Sequence, residues 1–235
     1  MSATRGDVSP ADTPTDWARR PGSVALRAAF QTIAVPTLSA ALTPMSVSGS
    51  LPRFDGDHFA PGTVYVANHR SHVDSLVILR LLGRRRRHRL LGAVAADYFF
   101  ANRYRGWCSA LLLGGVPIDR SKISRRNLDE CVRLVGDGWS LLIFPEGGRN
   151  SEAETQPFKA GAAIIAQRTS ATVVPMHLTG TDSVLPKGAP RARRHRVVVR
   201  IGTPLSVGPD ESTRRFAERI ESAVAALALA HGDLT

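Results

Sequence analysis

From Thr63 onward, short runs of β-branched and other apolar residues alternate with longer segments in which apolar residues recur every three or four positions. The first pattern predicts buried strands, and the second predicts helices with one apolar face. We predict strands at Thr63–Ala67, Leu90–Ala95, Gly115–Ile118, Ser140–Phe144, Thr172–Met176 and Arg196–Ile201. We predict helices at His72–Leu82, Tyr98–Leu112, Ser124–Val135, Phe158–Thr169 and Ser212–Ala230. This alternation indicates an α/β fold with a mostly parallel central sheet flanked by helices.

The chain before Thr63 has a different pattern. Residues 1–20 are rich in Ser, Thr, Asp and Pro, and we expect them to form a disordered leader. Residues 23–43 are apolar, but Arg27, Gln31 and Pro36 interrupt them. Because a membrane span needs about 20 predominantly apolar residues, we expect a packed or interfacial helix, kinked at Pro36. We expect residues 21–235 to form one domain, with the α/β core at residues 60–230.

Charge adds a constraint on the partner. The formal net charge is +11, which favours an anionic partner. Many of the basic residues lie in two runs, Arg84–Arg89 and Arg191–Arg196. Such runs are typical of a solvated surface, and they also fit contact with anionic lipid headgroups or with an acidic acyl carrier protein. No aromatic residues are interleaved with these arginines, so we do not expect nucleic acid.

Two cysteines bear on the compartment. Cys108 and Cys131 lie inside predicted helices and have no paired spacing. We therefore expect both to be reduced core thiols of an intracellular protein.

Polar and charged residues follow three of the predicted strands directly. Residues 68–74 follow the first strand, Asp119 and Arg120 follow the third, and Pro145–Arg149 follows the fourth. In open α/β sheets, ligands bind at the carboxyl ends of the strands. We therefore expect these three turns to converge on one site.

The first turn contains a candidate base. Ser71 and Asp74 have the spacing of a helix capping box, which accounts for both residues without catalysis but leaves His69 unexplained. Helical side chains tilt toward the helix N-terminus, so the Asp74 carboxylate can reach His69. A carboxylate on one ring nitrogen fixes the tautomer and leaves the other nitrogen free as a base. Alternatively, His69, His72 and Asp74 are metal ligands of a hydrolase.

Several motifs occur in order along the chain. Asn68-His69-x4-Asp74 resembles the first signature of the glycerolipid acyltransferase family, the 1-acylglycerol-3-phosphate acyltransferase-like proteins. Gly115–Arg120 resembles the second block of that family, Phe144–Arg149 the third and Val173–Met176 the fourth. Pro157-Phe158-Lys159-Ala160-Gly161 is similar to the segment that follows the third block.

The resemblance implies an O-acyltransferase that needs no cofactor. It implies transfer of a fatty acyl group from acyl-CoA or acyl carrier protein to a lysophospholipid hydroxyl, with His69 and Asp74 as the catalytic pair and no acyl-enzyme. Arg120 and Arg149 lie in turns where a guanidinium can bind a phosphate, and Lys159 can add a third positive charge.

Residues of the third block complete the expected substrate site. Glu146 can accept hydrogen bonds from acceptor hydroxyls or from backbone amides of its own turn, and Gly147 and Gly148 permit a tight turn. The family usually has threonine where Gly148 stands and serine where Asn150 stands, which leaves a glycolipid, an ornithine-type lipid or a specialised metabolite open as acceptor. We expect the protein at the cytoplasmic face of a bacterial cell membrane.

Overall fold

A seven-stranded sheet forms the centre of the computed structural model, which describes residues 14–52, 62–95, 102–118, 125–149 and 156–230. The strands are β1 (Met45–Ser48), β2 (Val64–Ala67), β3 (Leu90–Ala95), β4 (Gly115–Ile118), β5 (Ser140–Ile143), β6 (Val173–Thr179) and β7 (Val197–Ile201). Their order is β1-β7-β6-β2-β5-β3-β4. The five strands from β6 to β4 are mutually parallel, β7 is antiparallel to β6, and β1 is parallel to β7. The predicted mostly parallel sheet is confirmed.

Helices cover both faces of this sheet. They are α1 (Pro21–Leu42), α2 (Val73–Arg87), α3 (Arg103–Leu113), α4 (Arg125–Gly136), α5 (Gly161–Thr169), α6 (Thr181–Val184) and α7 (Thr213–Leu229). On one face, Val77 of α2 and Val184 of α6 pack with Tyr65. On the other face, Ile165 of α5 and Phe216 of α7 pack with Val66. Strand β2 is buried on both faces, which is why its sequence is a continuous apolar run rather than an alternating one.

The observed elements differ from the predicted ones mainly at their ends and in two short elements. Strand β1 and helix α6 were not predicted, since four residues carry too little pattern to be recognised. Helix α2 continues to Arg87 instead of ending at Leu82, but Gly83 has non-helical angles (φ 65°, ψ 176°) and interrupts it where the predicted end lies. Helix α5 starts at Gly161, because the amide of Lys159 donates instead to the carbonyl of Pro145.

The N-terminal apolar helix is present, and its polar residues face inward. Arg27, Gln31 and Ser39 are buried against the domain, together with Val35. Leu26 and Ile33 are exposed, and Ile33 retains 69% of its accessible surface. By length and composition α1 is able to cross a membrane, a property that it shares with core helices and signal sequences. The prediction of an interfacial helix therefore stays a prediction.

The expected leader falls largely on residues 1–13, which lie outside the described residues. Asp16–Arg19, within the same expected leader, form a short 3-10 helix. Trp17 of this helix stacks on Trp107 of α3, with ring centroids 6.0 Å apart.

The two arginine runs lie at opposite ends of the strands of the sheet. Arg84–Arg89 is at the end of α2, at the amino ends of the parallel strands, and Arg87 is buried there. Arg191–Arg196 precedes β7. Because β7 is antiparallel to β6, this run lies at the carboxyl end of β6. All six residues of the second run are exposed. Of the two runs, only the second therefore lies at the same end of the sheet as the turns after β2 and β5.

Candidate active site

His69 and Asp74 form a direct pair at the carboxyl end of β2. Nδ1 of His69 lies 2.8 Å from Oδ2 of Asp74, and the aspartate side chain is fully buried. The His69 side chain keeps 16% exposure, so one part of the ring remains accessible. With Nδ1 occupied by the carboxylate, Nε2 is left as the nitrogen able to accept a proton.

Backbone amides hold the Asp74 carboxylate in place. Oδ2 also accepts the N–H groups of Arg70 (2.8 Å) and Ser71 (2.9 Å). Half of the predicted capping box is thus present, since the aspartate reaches back to the amide of Ser71. In the other half, the Ser71 hydroxyl accepts a long hydrogen bond from the amide of Val73 (3.4 Å) instead of that of Asp74, whose amide donates to the Ser71 carbonyl. The same hydroxyl donates to the carbonyl of Leu185 (2.8 Å). The turn is rigid on the side that faces His69.

Asn68 joins this turn to the neighbouring strand. Its side-chain Nδ2 donates to the carbonyl of Leu178 (2.9 Å), and its Oδ1 accepts the amide of the same residue (2.7 Å). A buried amide with both groups satisfied by one backbone position fixes the end of β2 against β6. The asparagine of the first motif therefore positions the histidine that follows it.

Phe144 supports the ring of His69. The two rings stack with centroids 4.2 Å apart and an interplanar angle of 18°. Phe144 directly follows β5, the neighbour of β2 in the sheet. The first and third motifs thus meet at the histidine, as the strand-end rule predicts.

Glu146 contacts the backbone of the same histidine. Its Oε1 accepts a long hydrogen bond from the His69 amide (3.4 Å). Burial raises the pKa of Glu146 to about 7, opposed by the His69 amide and the nearby charge of Arg70. The expected amide partners are those of its own turn, whereas the amide observed belongs to the turn after β2; Oε2 has no hydrogen-bond partner among the described residues.

An apolar cavity of about 620 Å³ opens beside His69. Its walls come from α1 to α5 and from β3 to β5, and they include Phe30, Val94, Leu128, Phe144, Ala162 and Ile165. Cys108 and Cys131 also line it. Burial raises the pKa of the Cys131 thiol to about 12, whereas Cys108 is exposed, so the expectation of a core thiol is confirmed only for Cys131.

Four of the predicted binding residues line this cavity together with His69, namely Gly147, Gly148, Arg149 and Lys159. Gly147 has φ +74°, which favours glycine, and a Cβ there would lie 2.8 Å from Nζ of Lys159, so a side chain at this position would displace the ammonium. Arg120 and Asn150 lie outside the described residues. The binding roles of all these residues stay predictions.

His72 belongs to the site but not as a second base. Its ring centroid lies 6.4 Å from that of His69. Burial and the nearby charges of Arg149 and His69 lower the pKa of His72 to about 4, so it is neutral at physiological pH. Within the ranges that the structure describes, no group of three His, Cys, Asp or Glu side chains is placed to hold a metal ion.

Sequence reasoning missed three basic residues that lie together next to the turn of His69 and Asp74, namely Arg70, His177 and Arg200. His177 lies in β6 directly beyond the end of the predicted strand, so the strand-end rule was a usable signal for it. Arg200 lies inside β7 and carried no such signal, because its position depends on strand pairing.

Comparison with known proteins identifies the family. A sequence model of a family described as Acyltransferase matches residues 50–179, more than half of the chain. The chain belongs to the acyltransferase family. This match includes the His69–Asp74 pair and the turn that carries Glu146 and Arg149.

Individual members of the acyltransferase family are similar over parts of their length. The chloroplastic 1-acyl-sn-glycerol-3-phosphate acyltransferase of Brassica napus is 32% identical over 164 residues, covering 66% of this chain and 45% of that protein. A 1-acyl-sn-glycerol-3-phosphate acyltransferase of Chlamydomonas reinhardtii is 35% identical over 129 residues, covering 53% of this chain and 36% of that protein. The chain thus spans less than half the length of these curated relatives.

A solved acyltransferase structure has the same fold. The 1-acyl-sn-glycerophosphate acyltransferase of Thermotoga maritima superposes with a TM-score of 0.66 at 22% sequence identity, covering 89% of this chain and 81% of that one. The matched relatives include plant, algal and bacterial proteins, so they do not support the expected bacterial source.

Proposed function

We propose that this acyltransferase moves a fatty acyl group from a thioester donor, acyl-CoA or acyl carrier protein, to a hydroxyl of 1-acylglycerol-3-phosphate or a similar lysophospholipid. One observation carries the proposal: the His69–Asp74 pair, 2.8 Å apart, lies at an apolar cavity whose wall also holds Arg149 and Lys159. A base, a place for a fatty chain and cations for a phosphate are what this reaction needs. The curated relatives that carry this activity by name support the same acceptor.

The proposed chemistry is a direct attack without an acyl-enzyme. Nε2 of His69 takes the proton of the acceptor hydroxyl while the hydroxyl oxygen bonds to the thioester carbonyl carbon. The carbon–sulfur bond then breaks, and the imidazolium returns the proton to the leaving thiolate. Asp74 stabilises the imidazolium between these steps, as a carboxylate does in other histidine-based acyl transfers. We propose that no metal or other cofactor takes part.

Fatty chain and phosphate occupy different parts of the same cavity in this proposal. The volume of about 620 Å³ lies within the range of about 300–1,000 Å³ typical of ligand pockets. The fatty chain contacts apolar side chains such as Leu128 and Ile165, and this contact excludes water. Arg149 and Lys159 bind the acceptor phosphate, with Arg120 expected beside them. Gly147 keeps the ammonium of Lys159 in reach.

We further propose that the enzyme works at the cytoplasmic surface of a membrane. The outward face of α1 presents Leu26, Phe30, Ile33 and Leu38, and apolar side chains on a helix surface favour the interface of a bilayer. Flotation with lipid vesicles tests this, since Ile33→Asp should lower the bound fraction. An unchanged bound fraction would argue against α1 as the contact.

The test of the activity is direct. Purified protein is incubated with acyl-CoA or acyl carrier protein and a panel of acceptors: lysophosphatidate, other lysophospholipids, a glycolipid, an ornithine-type lipid and monoacylglycerol. Mass spectrometry then identifies the products. We expect the diacyl phosphate from lysophosphatidate with wild-type protein and none with folded His69→Ala. Product formation by His69→Ala at the wild-type rate, or a stable acyl-enzyme, would refute the mechanism.

A further inference from the structure

A second group of basic side chains lies next to the turn that carries His69, outside the apolar cavity. It consists of Arg70, His177 and Arg200, which we call the basic cluster. We propose that the basic cluster is a second phosphate site of the enzyme, separate from Arg149 and Lys159. The inference rests on the proposed function, in which acceptor and donor each carry a phosphate group.

Strand pairing brings the three residues together. His177 of β6 is the direct partner of Arg200 in the antiparallel β6–β7 ladder. Directly opposite residues of such a pair point to the same face, with Cβ atoms about 5 Å apart. Strand β2 is the other neighbour of β6, with Ala67 opposite Met176, so the turn that continues β2 lies next to His177. The two hydrogen bonds of Asn68 to Leu178 hold that turn in place.

The cluster lies on the face of the sheet that α7 covers. It is accessible because it lies beyond the part of β6 that the helix contacts. Pro175 packs near Leu227 of α7, since a Cβ on Gly202 would contact both side chains. Side chains alternate along a strand, so His177 and Thr179 lie on the same face as Pro175. His177 and Arg200 are half-buried, and Thr179 is exposed. A ligand can therefore approach where the helix no longer covers the strand.

The charges of the cluster are not balanced by ion pairs. Within the described part of the chain, neither Arg70 nor Arg200 forms a salt bridge, and Nη1 of Arg70 is buried without a hydrogen-bond partner. Burial and the charges of Arg200 and Arg70 lower the pKa of His177 to about 4, so His177 is neutral and can donate one N–H. The nearby acids are Asp74, already bonded to His69 and two amides, and Glu146, whose pKa is raised to about 7.

Such an arrangement suits a phosphate more than it suits protein groups. Nδ1 of His177 lies 3.4 Å from the Thr179 hydroxyl, which leaves Nε2 as the ring nitrogen that can donate to a ligand. The two guanidinium groups and this N–H are donors, and a phosphoryl oxyanion accepts from all three. The cluster flanks the catalytic turn through Arg70, the residue after His69. A phosphate held there would orient the substrate that carries it against Nε2 of His69.

The experiment varies both the site and the phosphate. Steady-state rates are compared for wild-type and Arg200→Gln protein with two donors, acyl-4′-phosphopantetheine and acyl-pantetheine, and two acceptors, lysophosphatidate and monoacylglycerol. Arg214→Gln is the matched control, because Arg214 is exposed on α7 and its loss changes the net charge equally. We expect Arg200→Gln to lower the preference for the phosphorylated form of one substrate about tenfold or more, as for loss of a charged hydrogen bond. Arg214→Gln should leave both preferences unchanged.

The two pairs of substrates distinguish the source of the phosphate. A lost preference confined to the donor pair assigns the cluster to the donor, and one confined to the acceptor pair assigns it to the acceptor. Arg200→Lys should restore part of the preference because it restores the charge. Unchanged preferences in both pairs for Arg200→Gln and for His177→Gln, with both variants folded by circular dichroism, would overturn the proposal.

A binding measurement separates this inference from the proposed function. Calorimetric titration with CoA and with glycerol 3-phosphate needs no turnover. We expect at least one of them to bind Arg200→Gln about tenfold more weakly than wild-type protein. If no donor supports acyl transfer but this difference is found, the proposed function fails and the site stands. If acyl transfer occurs and neither ligand discriminates the variant, the site fails and the function stands.

Discussion

The apolar cavity and the basic cluster lie beside the same histidine but are assembled differently. The cavity is lined by apolar residues of helices and strands between Ser75 and Ile165, together with the turn that holds Gly147, Gly148 and Arg149. The basic cluster combines Arg70 with His177 and Arg200, which are separated from it by more than a hundred residues. The hydrophobic pattern of the sequence therefore predicts most of the helices and strands that form the cavity wall, whereas the cluster depends on the order and register of β2, β6 and β7. The difference shows which kind of site a motif search will overlook.

The largest expected effect concerns the pair that both regions share. Asp74→Asn keeps the shape of the side chain but removes the charge that fixes the His69 tautomer. We expect kcat to fall about 10³- to 10⁴-fold with every donor and acceptor, as in other histidine–aspartate pairs. Rates are measured by mass spectrometry, with folding checked by circular dichroism. A loss restricted to one substrate would mean that Asp74 serves binding rather than the base.

Arg149 tests the cavity side of the comparison. Arg149→Gln should raise KM for lysophosphatidate about tenfold or more, through loss of a charged hydrogen bond, and leave KM for monoacylglycerol nearly unchanged. Arg168→Gln is a suitable control, because Arg168 is exposed and pairs with Asp129 away from the cavity. Equal effects of Arg149→Gln on both acceptors would remove the phosphate role.

Leu128 tests whether the cavity holds the fatty chain. Leu128→Trp adds volume to the wall, so we expect a shift toward shorter acyl chains, with kcat/KM for long-chain substrates reduced about tenfold. Leu128→Met conserves volume and should leave the preference unchanged. Competition between short and long acyl substrates measures both. An unchanged chain-length profile in folded Leu128→Trp protein would place the fatty chain elsewhere.

Glu146, between the two regions, should give a smaller effect, seen in stability. Its pKa is raised from 4.5 to about 7 by burial, so the folded state keeps a proton that the unfolded state loses. Stability should therefore decrease as pH rises from about 4.5 to about 7 and level off above that. Glu146→Gln keeps an acceptor for the His69 amide and should flatten this part of the profile. Thermal unfolding of both proteins across pH 4 to 8 is the measurement; parallel profiles would contradict it.

Much of the fold could be predicted from the sequence because the apolar periodicity is strong. Strands β3 and β4 have the predicted bounds, and the stripe of Leu128, Cys131, Leu134 and Val135 correctly predicts α4. The direction of β7 could not be predicted, since periodicity carries no information on pairing. The inverted burial of α1 could not be predicted either, because it depends on what packs against the helix, such as the Ala18 carbonyl of the preceding 3-10 helix, which accepts from Arg27.

The sequence by itself determined the family and predicted the pairing of His69 with Asp74. His69 and Asp74 are five residues apart, so their contact follows from a strand, a tight turn and the first turn of a helix. Tertiary structure decided what surrounds them: the stacking of Phe144, the Asn68 bonds to Leu178, and the approach of His177 and Arg200. Those contacts join segments that are distant along the chain, and only packing of the sheet brings them within reach of each other.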